Sequence, residues 1–175
     1  MLGSEWDLGD GVRPDMVTVA KSISGGVTPV SGVLCNDDIM MTIGPGDHGS
    51  TYGGNALGMA ISRVALEVLV EEDMVGNAFR VGAHLEAGLR ALNSPLIKEV
   101  RGRGLFHGLE FNEGHGVDAN DFTKILSSHG LLSKSARAMT VRFSPALVIT
   151  KEEIDKALDI VKKSLVELEA KATGI

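Results

Sequence analysis

Apolar and polar positions change period several times along this chain, and the changes divide it into elements. The stretch 1–15 is polar and turn-rich, with Gly9, Gly11 and Pro14. Met16 to Ala20 is a short β-favouring run bounded by Pro14 and by Gly25-Gly26. A continuous apolar run of this length predicts a strand buried on both faces. Val30 to Cys35 predicts a second short strand. Asn36 stands where it could cap a short helix from Asp37 to about Thr42, with acidic residues in its first turn. A loop with five glycines runs from Gly44 to Asn55. The apolar residues from Ala56 to Glu71 then go most of the way round a helix, which predicts that it is buried. Val75, Ala78, Phe79, Gly82, Leu85, Leu89 and Leu92 form one helical stripe within a second helix from about Asp73 to Leu92.

The pattern differs beyond this point. Ile97 to Val100 and Leu105 to Phe111 predict strands around the turn Arg101-Gly102-Arg103-Gly104. Asp118 or Asn120 can cap a helix that runs to about Ser128 and ends at Gly130. Met139 to Ser144 alternates as a strand and stops at Pro145. Thr150 and Glu153 have the spacing of a capping box. They precede a helix whose stripe is Ile154, Ala157, Leu158, Val161, Leu165 and Leu168. The expected fold class is α/β with a boundary near residue 74. Residues 1–74 read as part of a larger α/β layer, and residues 75–175 as a small α+β domain.

Composition excludes several classes of function. A formal net charge of −6 argues against nucleic acid, and 4% aromatic residues leave few platforms for base stacking. No apolar run is long enough to span a bilayer, and the start of the chain lacks a signal-peptide pattern. The single cysteine, Cys35, excludes an internal disulfide and suits a reducing compartment such as the cytoplasm. It reads as an inert core residue. The five histidines are scattered, so no metal site is expected. The glycines at 102, 104 and 108 miss the dinucleotide spacing by one residue, and no phosphate-loop or nucleophile-elbow motif is present.

Three features carry chemistry. Lys21 is delivered from an apolar run into a glycine-rich turn, where a lysine could anchor an aldehyde cofactor covalently. The other reading is a solvated surface lysine. Gly49-Ser50-Thr51-Tyr52-Gly53-Gly54 precedes a helix, and its backbone N–H groups and two hydroxyls suit a phosphate. A flexible connection would look the same. Arg142 alternates away from Val141 and Phe143 and could grip a carboxylate bidentately, or it could lie on the wet face of a strand. An aldehyde anchor, a phosphate cradle and a carboxylate clamp together are what pyridoxal 5'-phosphate acting on an amino acid needs.

These residues resemble a known family. Arg13-Pro14-Asp15-Met16-Val17 followed by Ala20-Lys21-Ser22-Ile23-Ser24-Gly25-Gly26 is similar to the cofactor-lysine segment of class III aminotransferases. Val33 to Ile43, Pro45 to Asn55, Arg101-Gly102-Arg103-Gly104-Leu105 and Val141 to Ile149 resemble the branch of that family that acts on ornithine. The resemblance runs from about Gly11 to the end of the chain. It implies a fold-type I homodimer with its active site at the subunit interface. It implies that Lys21 holds the cofactor and then moves the substrate proton. Thr51, with the Ser50 backbone, would bind the phosphate of the neighbouring subunit's cofactor. Arg142 would hold the α-carboxylate of glutamate or 2-oxoglutarate. The reaction implied moves the δ-amino group of ornithine to 2-oxoglutarate, in the cytoplasm or, for a eukaryotic parent, in the mitochondrial matrix.

Two departures qualify the resemblance. Ala56 stands where the family usually has proline. The family also carries well over half of its length before the lysine, so the sequence reads as a C-terminal portion with negligible activity alone. Unpaired strand edges and apolar faces are then expected in its first part. Relatives acting on acetylornithine or 4-aminobutyrate share the lysine, loop and arginine. A non-catalytic dimerisation or regulatory module is the remaining alternative.

Overall fold

A computed structural model describes residues 13–173. Most of the polar, turn-rich stretch expected at 1–15 therefore lies outside the described residues. The chain divides into two compact units between Glu72 and Asp73.

In the first unit, β1 (Met16–Val19) pairs antiparallel with β2 (Gly32–Cys35), with Met16 opposite Cys35 and Val19 opposite Gly32. A single 3-10 turn, Lys21–Ser24, leaves β1 and ends at Gly25, which is left-handed at φ 63°. Helix α1 (Asp37–Met40) carries Asp37 and Asp38 in its first turn. Asn36 occupies its N-cap position, but the side chain makes no capping hydrogen bond. Helix α2 (Ala56–Glu71) is capped by Asn55, whose side chain accepts from the Gly58 N–H at 2.7 Å.

The expected burial of this unit is not found. β1 alternates exposed and half-buried residues, and Cys35 is a half-buried free thiol rather than a core residue. Helix α2 buries only Gly58 and Ser62, while Leu57 is 71% and Val70 75% exposed. The physical reason is the lack of facing layers. A two-stranded ribbon gives each strand one neighbour, and the described residues of this unit supply no further strand.

The second unit holds the core. Helix α3 (Met74–Arg90) precedes a hairpin of β3 (Ile97–Arg103) and β4 (Phe106–Phe111). Helix α4 (Ala119–Ser128), strands β5 (Lys134–Arg137) and β6 (Thr140–Phe143), and helix α5 (Lys151–Lys171) follow. The sheet order is β3-β4-β6-β5, antiparallel throughout. Leu109, Phe111 and Val141 on the sheet, Leu85 and Leu89 on α3, Phe122 and Leu126 on α4, and Ile154, Val161 and Leu168 on α5 are buried together. The Phe111 and Phe122 rings meet edge to face, 5.2 Å apart at 82°. Among the described residues, every buried large apolar side chain belongs to this unit.

Several details differ from the sequence pattern. The hairpin turns at Gly104-Leu105, not over 101–104, because β3 continues through Gly102 opposite His107. Gly102 makes this possible: at φ 158°, a Cβ there would stand 2.2 Å from the Phe106 carbonyl oxygen. The α3 stripe is buried from Gly82 onward, whereas Val75 and Phe79 are 65% and 69% exposed. Gly82 lets the helix approach the hairpin turn, since a Cβ would meet the Gly104 carbonyl at 2.2 Å. Strand β5 has no apolar alternation and was not predicted. It is the sheet's edge strand, and three of its four residues are exposed. Of the helix caps read from the sequence, Asp118 and Thr150 form capping boxes, with Asp121 and Glu153 respectively, whereas Asn36 does not.

Candidate functional site

In the first unit, the sequence brings a β-strand to its end at Val19 and turns it through Lys21. Lys21 adopts φ 55°, a left-handed backbone that a residue with a Cβ seldom takes. It costs about 1 kcal/mol or more, and such conformations gather at functional positions. Asp73 is the other non-glycine residue with positive φ among those described. The Lys21 side chain is exposed. Behind it, Ser24 is fully buried, and its hydroxyl donates to the Thr28 carbonyl, which closes the turn.

A cavity of about 680 Å³ opens beside this turn. Its lining includes Ala20, the residue before Lys21, together with Pro29, His48, Ser50, Tyr52 and Asn55. The cavity therefore joins the residue that precedes the lysine turn to the Ser50 loop, while Lys21 and Thr51 are not themselves among its lining residues. Ser50 and Thr51 are exposed, and their hydroxyls make no hydrogen bond among the described residues. The Ser50 carbonyl accepts from the Gly53 N–H at 3.3 Å. The helix start is less open to an anion than its sequence suggests, because Asn55 already takes the Gly58 N–H.

Arg142 lies in the second unit, at the middle of β6 between the buried Val141 and Phe143. Opposite it on β4 is Gly108, and opposite Gly108 on β3 is Arg101. The two arginines line one hollow with Phe106, and their surroundings differ. Arg101 pairs with Glu99 at 2.9 Å and also with Glu110. Lys98 reaches Glu110 at 2.7 Å. Hydrogen bonds from Lys98 and then Arg101 hold the Glu110 carboxyl below the usual range. Arg142 has no carboxylate partner among the described residues. Its guanidinium stands 5.7 Å from the centre of the Phe106 ring, and its Nε is buried without a partner. Only the two terminal nitrogens remain to meet a ligand, which suits end-on, bidentate contact with a carboxylate. Phe106 was missed by sequence reasoning, because an aromatic on an exposed strand position carries no motif. Among the described residues, no cluster suited to a metal ion occurs.

An exposed lysine on a strained turn, two unengaged hydroxyls and an adjacent cavity fit an aldehyde that carries a phosphate. A carboxylate-free arginine fits a carboxylate substrate. Comparison with known proteins gives the same direction. A family described as aminotransferase class-III matches residues 2–165. The ornithine aminotransferase of Emericella nidulans is 45% identical over 170 residues, covering 96% of this chain and 37% of its own length. The mitochondrial ornithine aminotransferase of Rattus norvegicus is 46% identical over 156 residues, covering 89% of this chain and 36% of its own. A solved ornithine aminotransferase from Toxoplasma gondii, described as partially occupied by PLP at its active site, superposes with a TM-score of 0.87 at 41% identity. It covers 93% of this chain and 38% of that structure. An acetylornithine aminotransferase from Elizabethkingia anophelis superposes at 0.83 with 36% identity, covering 89% of this chain and 42% of that structure. The chain thus spans well under half the length of these relatives.

Proposed function

The chain belongs to the class III aminotransferases, and we propose that it supplies the cofactor lysine and the carboxylate clamp of an ornithine δ-aminotransferase. The substrates are ornithine and 2-oxoglutarate, and the products are glutamate semialdehyde and glutamate. The observation that carries this reading is the left-handed Lys21, held at a strand end beside a cavity lined in part by the Ser50 loop.

Pyridoxal 5'-phosphate, when bound, supplies an electron sink for the substrate carbon that loses its proton. The residues of this chain do the rest. The Lys21 amine would hold the cofactor through its aldehyde, and as a free amine it would take up and return the substrate proton. The Thr51 hydroxyl and the Ser50 backbone bind a phosphate, which we assign to the cofactor of a second subunit in a homodimer. Arg142 grips the α-carboxylate of glutamate or 2-oxoglutarate through its terminal nitrogens, and Phe106 steadies the guanidinium plane. The greater likeness to ornithine aminotransferases than to the acetylornithine enzyme supports ornithine as the amino donor.

Lys21 is exposed, and the described residues of the first unit bury no large apolar side chain. A cofactor on this chain alone would stand in water, where electrostatic stabilisation is weak. The isolated chain is therefore expected to turn over negligibly. Two measurements test the reading. Borohydride reduction after pyridoxal phosphate addition should leave a stable adduct on Lys21, absent in Lys21→Ala. Mixing the chain with the preceding segment of an ornithine aminotransferase should give semialdehyde formation that Lys21→Ala abolishes. A soluble, folded mixture without activity would sink the proposal, and an inert dimerisation module would then be the better description.

A further inference from the structure

The described residues up to Glu72 bury little, yet one polar side chain at the lysine turn is fully out of water. Ser24, the last residue of the turn Lys21–Ser24, is 0% exposed. The other buried residues described in this unit are Gly58 and Ser62 on α2. Gly58, Ser62 and Ala65 recur at helical spacing and share one face of that helix. The lysine turn packs against α2, and a Cβ built on Gly25 would stand 3.4 Å from the Ala65 Cβ. The turn is thus seated on small side chains, with no large buried apolar residue to grip it.

Hydrogen bonds hold it instead. The Ile23 N–H donates to the Ala20 carbonyl at 3.3 Å, and the Gly25 N–H to the Ser22 carbonyl at 2.9 Å. Ser24 takes part twice more. Its carbonyl accepts from the Val27 N–H at 3.2 Å, and its hydroxyl donates to the Thr28 carbonyl. A buried hydroxyl without a partner is costly, so this bond fixes both the Ser24 side chain and the segment it spans. The buried Ser62 hydroxyl differs, since it has no partner among the described residues. A left-handed residue other than glycine persists only where its surroundings over-determine it. At Lys21, those surroundings are the hydrogen bonds of the turn and the buried residue that ends it.

We propose that Ser24 is a positioning residue for Lys21: its buried hydroxyl closes the turn and so holds the lysine backbone in the left-handed conformation that presents the amine. The inference rests on the assignment of Lys21 as the cofactor lysine and adds what keeps that lysine in place. Without the hydroxyl, the Thr28 carbonyl is released, and the turn can relax toward an ordinary backbone that redirects the amine.

The test uses the purified chain and two readouts. Without ligand, the backbone chemical shifts of Lys21 report its φ. After pyridoxal phosphate and borohydride, peptide mapping gives the labelling of Lys21 relative to the other lysines of the same chain, which act as internal standards. In Ser24→Ala, the Lys21 shifts should move toward those of the unfolded chain. Its relative labelling should fall about fivefold, the population change expected from one net hydrogen bond. Amide signals of the second unit should stay in place, which separates the effect from unfolding. Ser62→Ala removes a hydroxyl that holds nothing and should change neither readout. If Ser24→Ala leaves either readout unchanged, or Ser62→Ala lowers labelling equally, the role of Ser24 is overturned and the lysine assignment stands. A parent chain that labels Lys21 no more than its other lysines overturns both.

Discussion

At Lys21 the side chain and the backbone have separate consequences. The amine is the reactive group, whereas the cost lies in φ 55°, which any residue with a Cβ pays. Lys21→Ala removes the amine and keeps the strain. Lys21→Gly removes both, although glycine adds unfolded-state entropy. Lys21→Gly is expected to be at least as stable as Lys21→Ala, by up to about 1 kcal/mol, with both equally unable to form a borohydride-trapped adduct. Denaturant unfolding of the two variants checks this, and a glycine variant clearly less stable than alanine would show that the turn is unstrained. At Arg142, Phe106→Leu keeps apolar bulk and removes the ring face. Cation–π contacts at exposed sites are worth about 0.5–1 kcal/mol, so carboxylate affinity should fall roughly two- to fivefold with the fold intact. Titration of the Leu variant with glutarate reads this directly.

The elements show which sequence signals survive folding. Helix α4 begins at Asp118, which accepts from the Asn120 and Asp121 N–H groups at 2.8 and 2.9 Å. Helix α5 begins at Thr150, with Glu153 closing its box. Asp118→Ala and Thr150→Ala should each cost about 1 kcal/mol in thermal or denaturant unfolding. Backbone hydrogen bonds, chiefly from Asp121, hold the Asp118 carboxyl below its usual range, and those from Thr150 do the same for Glu153. A depressed folded-state value means the stabilisation is complete above the unfolded-state value of about 4 and lost as pH falls through the folded one. Acid unfolding should therefore show less pH dependence in Asp118→Asn than in the parent chain. Capping is legible because it depends on residues three apart, and the α5 stripe because its partners lie in the same unit. The hairpin turn was misplaced because two glycines, 102 and 104, signal turns equally. Only the second ends the ladder, whereas Gly102 answers a close approach of the Phe106 carbonyl. Strand β5 was invisible because Lys134-Ser135-Ala136-Arg137 buries almost nothing, and its place is set by pairing with β6. Lys21 and Arg142 could be singled out from strand alternation and turn composition. What holds Arg142, the Phe106 ring and its pairing opposite Gly108, arises from cross-strand register and has no linear signature.

At the scale of the whole chain, burial is divided unevenly. The described residues from Asp73 onward enclose a continuous apolar core, from Leu85 on α3 to Leu168 on α5. The described residues up to Glu72 enclose none, and they expose Met16, Leu34, Met41, Leu57 and Val70. Apolar area removed from water contributes about 25 cal/mol per Å², so the first unit gains little of the stabilisation that offsets chain entropy. Free energies of local opening should follow this division. In native-state hydrogen exchange, amides of β4, β6, α4 and α5 should exchange only through global unfolding and be the most protected. Those of β1, β2 and α2 should exchange orders of magnitude faster, through opening that leaves the second unit intact. The exposed apolar face of α2 and the second face of β1 are the surfaces that a larger α/β layer would cover. Adding the preceding segment of an ornithine aminotransferase should therefore slow exchange in α2 and β1 selectively, without altering α5. Uniform protection across the chain would contradict the division of burial, and slowing confined to α5 would place the contact surface on the second unit instead.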